Sequence, residues 1–98
     1  MSVTILLELH SKPENLEQLK SIFQEILPDT RAYDGCQGLE LIVNQDDPNH
    51  FIVIEKWNSR QHYETYFAWR VETGVVDKLA ALSSQPPSIR YYDQIGVY

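Results

Sequence analysis

The segment QGLELIVNQDDPNHFIVIEKW, residues 37–57, contains two strand-like runs separated by a polar turn. In the first run Leu39, Leu41 and Val43 occupy every second position, which is the period of a β-strand with one buried face. Residues 46–49 combine two aspartates, a proline and an asparagine and predict a turn. The sequence therefore predicts strands at 37–45 and 50–57, joined as a β-hairpin.

The residues on the N-terminal side of the hairpin predict one strand followed by one helix. Residues 3–10 place apolar side chains at every second position, namely Val3, Ile5, Leu7 and Leu9. A helix should follow, with Ser11 and Glu14 as a capping box and a stripe formed by Leu16, Leu19, Phe23, Ile26, Leu27 and Thr30. Pro28 lies within that stripe and is expected to kink the helix, which ends near residues 34–35.

The residues on the C-terminal side predict a second helical segment and a last strand. Asn58 and Ser59 are expected to cap a helix that reaches about Val71, and Gly74 separates it from a second amphipathic piece. Residues 88–97 are predicted to form the last strand. The order β-α-β-β-α-β predicts an α+β protein with a ferredoxin-like fold and a four-stranded antiparallel sheet. No linker interrupts the chain, so residues 1–98 are expected to form a single domain.

The composition is that of a small acidic domain with a limited core. The chain has 98 residues and a formal net charge of −6, from 8 basic and 14 acidic residues. A basic surface is needed to release counter-ions from phosphate, so neither nucleic acid nor an anionic membrane surface is an expected partner. Folding at this size buries about 65% of the surface of the unfolded chain, so a partner subunit would help to stabilise it.

The sequence contains few signals that indicate a cellular compartment. No basic and apolar leader precedes the first predicted strand, and no apolar run approaches the roughly 20 residues that span a bilayer. Cys36 is the single cysteine and cannot form an intrachain disulfide, which fits a reducing compartment. A cytoplasmic location is therefore expected.

Four short motifs occur in order along the chain, namely Lys12-Pro13, Tyr33-Asp34-Gly35-Cys36, Asp47-Pro48 and Phe51-x-x-x-Glu55-x-Trp57-x-Ser59. Together they resemble the antibiotic biosynthesis monooxygenase family over nearly the whole chain. The resemblance implies a homodimer in which two sheets close face to face into a dimeric α+β barrel, with a ligand cavity in each subunit. The family includes cofactor-free oxygenases of aromatic quinols or anthrones, haem-degrading enzymes and isomerases of small signalling molecules.

Departures from these relatives bear on the cofactor. Haem-degrading members pair an asparagine on the first strand with the strand-three tryptophan and with an iron-ligating histidine about ten residues after that tryptophan. Residues 3–10 contain no asparagine, and Tyr66 or Phe67 occupies the histidine position. Haem is therefore disfavoured, and no cofactor is expected. Quinol-oxidising members carry an asparagine where this chain has Val53, but their tyrosine six residues after the tryptophan is matched by Tyr63.

A candidate pocket follows from the third predicted strand and the helix after it. The strand period places Phe51, Val53, Glu55 and Trp57 on one face, and the helix stripe presents Tyr63, Tyr66, Phe67 and Arg70. Aromatic rings, phenols, an indole N–H, a guanidinium and a carboxylate suit a flat aromatic ligand that carries one or two oxygens. The expected catalytic residues are Glu55, Trp57, Tyr66 and Arg70, and the expected substrate-binding residues are Tyr63, Phe67 and Val53.

The predicted function is a cofactor-independent monooxygenase that oxidises a small electron-rich aromatic or quinol with O₂. Burial would raise the pKa of Glu55, which is the expected base. Trp57 and Arg70 would hold the substrate anion, and Tyr63 and Tyr66 would orient it. Two alternatives stay open: a non-catalytic binding or stress-response protein for quinone-type molecules, and a non-redox isomerase that uses the same pocket.

Each candidate residue also has a purely structural interpretation. Tyr63 and Phe67, at helical spacing, are typical of a core. Arg70 could lie along the surface with its stem buried. Glu55 could be the partner of a basic side chain on a neighbouring strand, His10 or Arg90.

Neither a metal site nor a reactive thiol is expected from the sequence. The three histidines occupy different predicted elements without i, i+4 spacing, namely His10, His50 and His62. Cys36 has no cationic neighbour in sequence, so it is interpreted as a small buried side chain.

Overall fold

The structure of the protein is a computed structural model, and it describes residues 2–98. The strands are β1 (Val3–His10), β2 (Cys36–Asn44), β3 (Asp47–Trp57) and β4 (Ser88–Tyr92). The helices are α1 (Leu16–Ala32), α2 (Arg60–Glu72) and α3 (Val75–Ala81). This order confirms the predicted α+β arrangement, with the second helical segment divided at Gly74. Within the described part of the chain, no helix has the length and apolar character needed to cross a membrane.

The four strands form one antiparallel sheet in the order β2-β3-β1-β4, which is the ferredoxin-like topology. The register of β1 and β3 pairs Ile5 with Glu55, so the odd-numbered residues of both strands share one face. The helices cover that face, where Leu19 and Phe23 of α1 are fully buried in the core. The space between this face and the helices is therefore where a ligand could be enclosed.

The two helix starts differ in how they are capped. Ser59 caps α2 as predicted, because its hydroxyl accepts a hydrogen bond from the backbone N–H of His62 at 3.1 Å. The predicted capping box at Ser11 does not form, since Ser11 Oγ donates to Asn49 Oδ1 at 3.0 Å. An isolated β-bridge to Ser83 and a backbone hydrogen bond from the Ser11 N–H to the carbonyl of Asn49 hold Ser11 outside the helix.

The hairpin turn is tighter than predicted. Only residues 45–46 form the turn, and β3 already begins at Asp47. The side-chain oxygen of Asn44 accepts from the backbone N–H of Asp46 at 2.8 Å, which closes the turn locally. Pro48 therefore lies near the start of a strand, one of the positions where a sheet tolerates proline.

Strand β4 is shorter than predicted and ends at Tyr92 rather than at residue 97. Its last pairing joins Tyr92 to Thr4, and β1 begins one residue earlier, at Val3. Residues 93–98 have consequently no neighbouring strand to extend along.

The face of the sheet turned away from the helices is apolar in its centre. Leu6 of β1 pairs with Ile54 of β3, and Ile52 of β3 pairs with Ile42 of β2. Ile42 is 44% exposed, and the other three side chains are only half-buried. No helix in residues 2–98 covers this face, which leaves a contiguous apolar surface open to solvent.

Candidate functional site

A cavity of about 140 Å³ lies between the sheet and the three helices. Its wall is mostly apolar and includes Leu7 of β1, Phe23 and Leu27 of α1, and Ile89 of β4. Five of the seven residues proposed from sequence also line it, namely Glu55, Tyr63, Tyr66, Phe67 and Arg70. The structure therefore brings most of the predicted set to one cavity.

Glu55 is the carboxylate of this cavity and is only 3% exposed. Burial raises its pKa from 4.5 to about 7, although a hydrogen bond from Trp57 and the charge of Arg70 both favour the ionised form. Trp57 Nε1 donates to Glu55 Oε1 at 3.0 Å. Among residues 2–98 Glu55 forms no ion pair, so the proposed pairing with His10 or Arg90 is wrong.

The second oxygen of Glu55 remains available. Oε2 accepts no hydrogen bond from the described residues, and no fully buried side-chain oxygen or nitrogen among them lacks a partner. Oε2 is therefore accessible rather than sealed in the core. A carboxyl group that titrates near pH 7 at an apolar cavity wall can take a proton from a ligand and return it.

Arg70 is buried beside Tyr66, one helical turn away on α2. It is 6% exposed, so it does not lie along the surface. Its Nε donates to Tyr66 Oη at 2.9 Å, and its Nη2 donates to the carbonyl of Ile26 at 2.8 Å and to Thr30 Oγ1 at 3.0 Å. Nη1 makes no hydrogen bond to the described residues, which leaves a charged donor for a ligand oxygen.

Thr30 completes this network and was not singled out by sequence reasoning. Its hydroxyl lies 2.6 Å from Tyr66 Oη and 3.0 Å from Arg70 Nη2, and its side chain is fully buried. The sequence offered one signal, a polar residue at an apolar position of the α1 stripe. The hydrogen bonds fix the phenol of Tyr66, and burial raises the pKa of that phenol.

Tyr63 and Phe67 form the aromatic side of the cavity. Their ring centroids are 6.1 Å apart with an interplanar angle of 28°. Burial raises the pKa of the Tyr63 phenol, so the phenol keeps its proton at neutral pH. Its hydroxyl makes no hydrogen bond to the described residues, which leaves it free to donate to a ligand.

Trp57 and Val53 lie behind the cavity wall instead of on it. The indole of Trp57 is fully buried, and its centroid lies 4.9 Å from that of Tyr66 and 5.6 Å from that of Tyr63. Its N–H is directed to Glu55, so it acts on the carboxylate rather than on a bound anion. Val53 is fully buried in the core beside Phe51 and Leu9.

Two remaining sequence expectations have different outcomes. Cys36 is half-buried, and burial raises the pKa of its thiol, which suits a structural side chain better than a nucleophile. His10 and His50 lie on different strands, as predicted, but the pairing of β1 with β3 brings their rings together. The rings of His10 and His50 stack at 4.3 Å with an interplanar angle of 4°, and His50 Nε2 lies 2.6 Å from Glu8 Oε2.

Comparisons with known proteins agree with this architecture. The family model for antibiotic biosynthesis monooxygenases matches residues 2–69. An antibiotic biosynthesis monooxygenase of known structure is 26% identical, with a TM-score of 0.87 over 96% of this chain and 99% of that one. A protein from Mycobacterium tuberculosis is 16% identical, with a TM-score of 0.88 over 99% of this chain and 98% of that one.

A third structure shares the fold at low identity. SnoaB, a cofactor-independent oxygenase from Streptomyces nogalater, is 16% identical in a mutant form, with a TM-score of 0.85 over 98% of this chain and 95% of that one. No curated protein sequence matches the chain. Because the family model covers more than half of the residues, and the fold agrees with that of an antibiotic biosynthesis monooxygenase, the chain belongs to the antibiotic biosynthesis monooxygenase family.

Proposed function

We propose that this protein is a cofactor-independent monooxygenase that oxidises a single-ring, electron-rich phenol or quinol with O₂. One observation carries the proposal: Glu55 is a buried carboxyl with a pKa of about 7, no ion-pair partner and one accessible oxygen at an apolar cavity wall. A base with that pKa is half ionised at neutral pH, which suits proton abstraction from a weakly acidic substrate. The similarity to SnoaB, a cofactor-independent oxygenase, supports the reaction class.

The proposed reaction begins when Glu55 takes the proton of the substrate hydroxyl. The resulting anion gives one electron to O₂, and the substrate radical combines with superoxide to form a C–O bond. The peroxide takes the proton back from Glu55. Loss of the C–H proton and cleavage of the O–O bond then leave a carbonyl and water, so one oxygen atom enters the product and no external reductant is needed.

Five other side chains have roles in this proposal. Arg70 Nη1 is the donor that stabilises the substrate anion, and the protonated Tyr63 hydroxyl is a second donor. Tyr66 is held in place by hydrogen bonds with Thr30 and Arg70, and its side chain limits the orientation of the substrate ring. Phe67 contributes a stacking surface, and Trp57 positions Glu55.

The size of the cavity restricts the substrate. A cavity of about 140 Å³ is comparable to one that holds benzene. Single-ring quinols therefore fit without expansion, whereas a three-ring anthrone would require the helices to move apart. This narrows the substrate class that the sequence alone suggested.

The experiment is aerobic turnover of a methylhydroquinone and an anthrone under ¹⁸O₂, with product mass as the readout. We expect one ¹⁸O atom in the single-ring product and slower or no conversion of anthrone. Glu55→Gln should lower kcat by at least about 100-fold, while the exposed Glu40→Gln serves as the matched control and should retain activity. Absence of label from every product of a bound quinol would refute the proposal.

Binding without turnover is the second candidate. It is favoured by the way Tyr66 and Arg70 direct most of their hydrogen bonds to Thr30, to Ile26 and to each other instead of to the cavity. Calorimetry with the same quinol separates the two functions. One-to-one binding without label incorporation supports a binding protein, and label incorporation supports the oxygenase.

We also propose that the protein is a homodimer that uses the apolar sheet face. Four apolar side chains on that face are not covered by any helix of residues 2–98, namely Leu6, Ile42, Ile52 and Ile54. Association of two subunits through this face would remove these side chains from water. Light scattering at micromolar concentration should give twice the chain mass of 11.4 kDa. Ile54→Glu should give monomers. Val71→Glu, at an exposed position of α2, is the control and should remain dimeric. A wild-type mass of one chain contradicts the proposal.

A further inference from the structure

The strand register creates a second cluster of functional side chains outside the cavity. His10 is paired directly with His50 across β1 and β3. Glu8 lies two residues before His10 and therefore points to the same face, the one turned away from the helices. The cluster lies where β1 ends, beside the apolar patch of that face and on the opposite side of the sheet from the cavity.

The three side chains are close enough to share a ligand. One nitrogen from each ring and one oxygen of Glu8 all lie within 4.8 Å of one another. Metal bonds to imidazole nitrogen and carboxylate oxygen are about 2.0–2.2 Å, which places neighbouring ligand atoms about 3–3.5 Å apart. The Glu8–His50 pair, at 2.6 Å, must therefore open slightly, and any pair of ligand atoms near the 4.8 Å limit must move closer together. One imidazole ring must also rotate, because the nitrogen lone pairs of two parallel rings lie in parallel planes and do not converge on a single ion.

The surroundings allow that adjustment and orient the rings. The side chains of His50 and Glu8 are 19% and 27% exposed, so neither is locked in the core. The Nδ1 atom of His50 lies 3.1 Å from Asn44 Nδ2, and that of His10 lies 2.7 Å from Gln85 Nε2. Rotation of each amide would present its oxygen to an Nδ1–H, which is how outer partners usually direct an Nε2 lone pair toward a metal.

We propose that Glu8, His10 and His50 bind a divalent transition-metal ion of the Zn²⁺, Co²⁺ or Ni²⁺ class. Two imidazoles and one carboxylate are an established ligand set for these ions, and water completes the coordination. Glu8 is the anionic member of the set, and its Oε2 already lies 2.6 Å from His50 Nε2. The site is independent of the proposed oxygenase chemistry.

Metal titration of the EDTA-treated full-length protein tests the proposal. Calorimetry with Zn²⁺ should show one ion bound per chain. His10→Gln and His50→Gln should each weaken binding at least about tenfold. His62→Gln is the matched control because it removes a histidine of α2 whose ring contacts the capping residue Ser59, away from the cluster, and it should bind Zn²⁺ like the wild type. Absence of Zn²⁺ binding, or equal loss in all three variants, would overturn the proposal.

A measurement on the wild-type protein covers the case in which a variant fails to fold. Paramagnetic Co²⁺ shifts and broadens the NMR signals of the imidazoles that bind it. The ring protons of His10 and His50 should respond to the first equivalent of Co²⁺, and those of His62 should not. A response confined to His62 or to the chain terminus would also overturn the site.

Discussion

Replacing Glu55 with glutamine should remove a pH dependence that burial imposes on folding stability. In the folded protein the pKa of Glu55 is about 7, against an ordinary value of 4.5. A carboxyl with a raised pKa holds its proton more tightly when folded. Its contribution to stability is therefore complete below pH 4.5 and is lost as the pH rises through about 7. Glutamine keeps the oxygen that accepts from Trp57 and cannot ionise.

The size of the effect follows from the two pKa values. Their difference, from 4.5 to about 7, multiplied by about 1.4 kcal/mol per pH unit, gives about 3 kcal/mol between pH 4 and pH 8. In a domain of about 100 residues this corresponds to more than about 10 °C in Tm. An effect of that size is well outside the error of unfolding measurements.

The assay is urea unfolding followed by far-UV circular dichroism from pH 4 to pH 8, at fixed ionic strength and protein concentration with EDTA. Subtracting the free energy of unfolding of the wild type from that of Glu55→Gln cancels the other titrating groups. This difference should rise by about 3 kcal/mol with pH. Glu8→Gln is the control of opposite sign, because a hydrogen bond from His50 lowers the pKa of Glu8. A flat or falling difference for Glu55→Gln would refute the reasoning.

Three further substitutions test the structure around the site. Thr30→Val removes two buried hydrogen bonds and should cost about 1–3 kcal/mol, seen as a lower Tm; an unchanged Tm contradicts the network. Gly35→Ala should destabilise the protein more than Gly74→Ala, although both glycines have a positive φ (92° and 83°), because only at Gly35 would the new Cβ lie 2.5 Å from an imidazole atom. Urea midpoints should rank the two variants in that order, and Gly74→Ala should lower the free energy of unfolding by about 1–2 kcal/mol. Trp57→Phe should raise the pKa of Glu55 by about one to two pH units, since it removes the hydrogen bond that favours the carboxylate. A ¹³C NMR titration of the Glu55 carboxyl with a midpoint at or below 7 would contradict this prediction.

Much of the fold could be predicted because its signals are local. The two-residue period of β1 and β3 identified their buried faces, and Ser59 and Gly74 marked a helix start and a helix break. The same period placed Glu55 toward the helices. The C-terminal limit of β4 was missed because it depends on where its partner β1 begins, which is information from the opposite end of the chain.

The features of the site that could not be predicted depend on side-chain geometry and strand register. Glu55 and Trp57 share a face two residues apart, so the indole N–H can reach the neighbouring carboxylate instead of the cavity, and only a rotamer decides between these. His10 and His50 are forty residues apart in sequence and meet only through the β1–β3 register. Spacing rules for metal ligands consider positions along the chain and cannot detect such a pair.

The hydrogen bond between Trp57 and Glu55 also provides an intrinsic optical reporter. A negative charge that appears 3.0 Å from the indole nitrogen changes the electrostatic field on the chromophore. The fluorescence of Trp57 should therefore change as Glu55 ionises near pH 7, and Trp57→Phe leaves Trp69 as the reference emitter. Ionisation of the base can then be followed without label or substrate, and a ligand that enters the cavity and alters this carboxyl will shift the same titration curve.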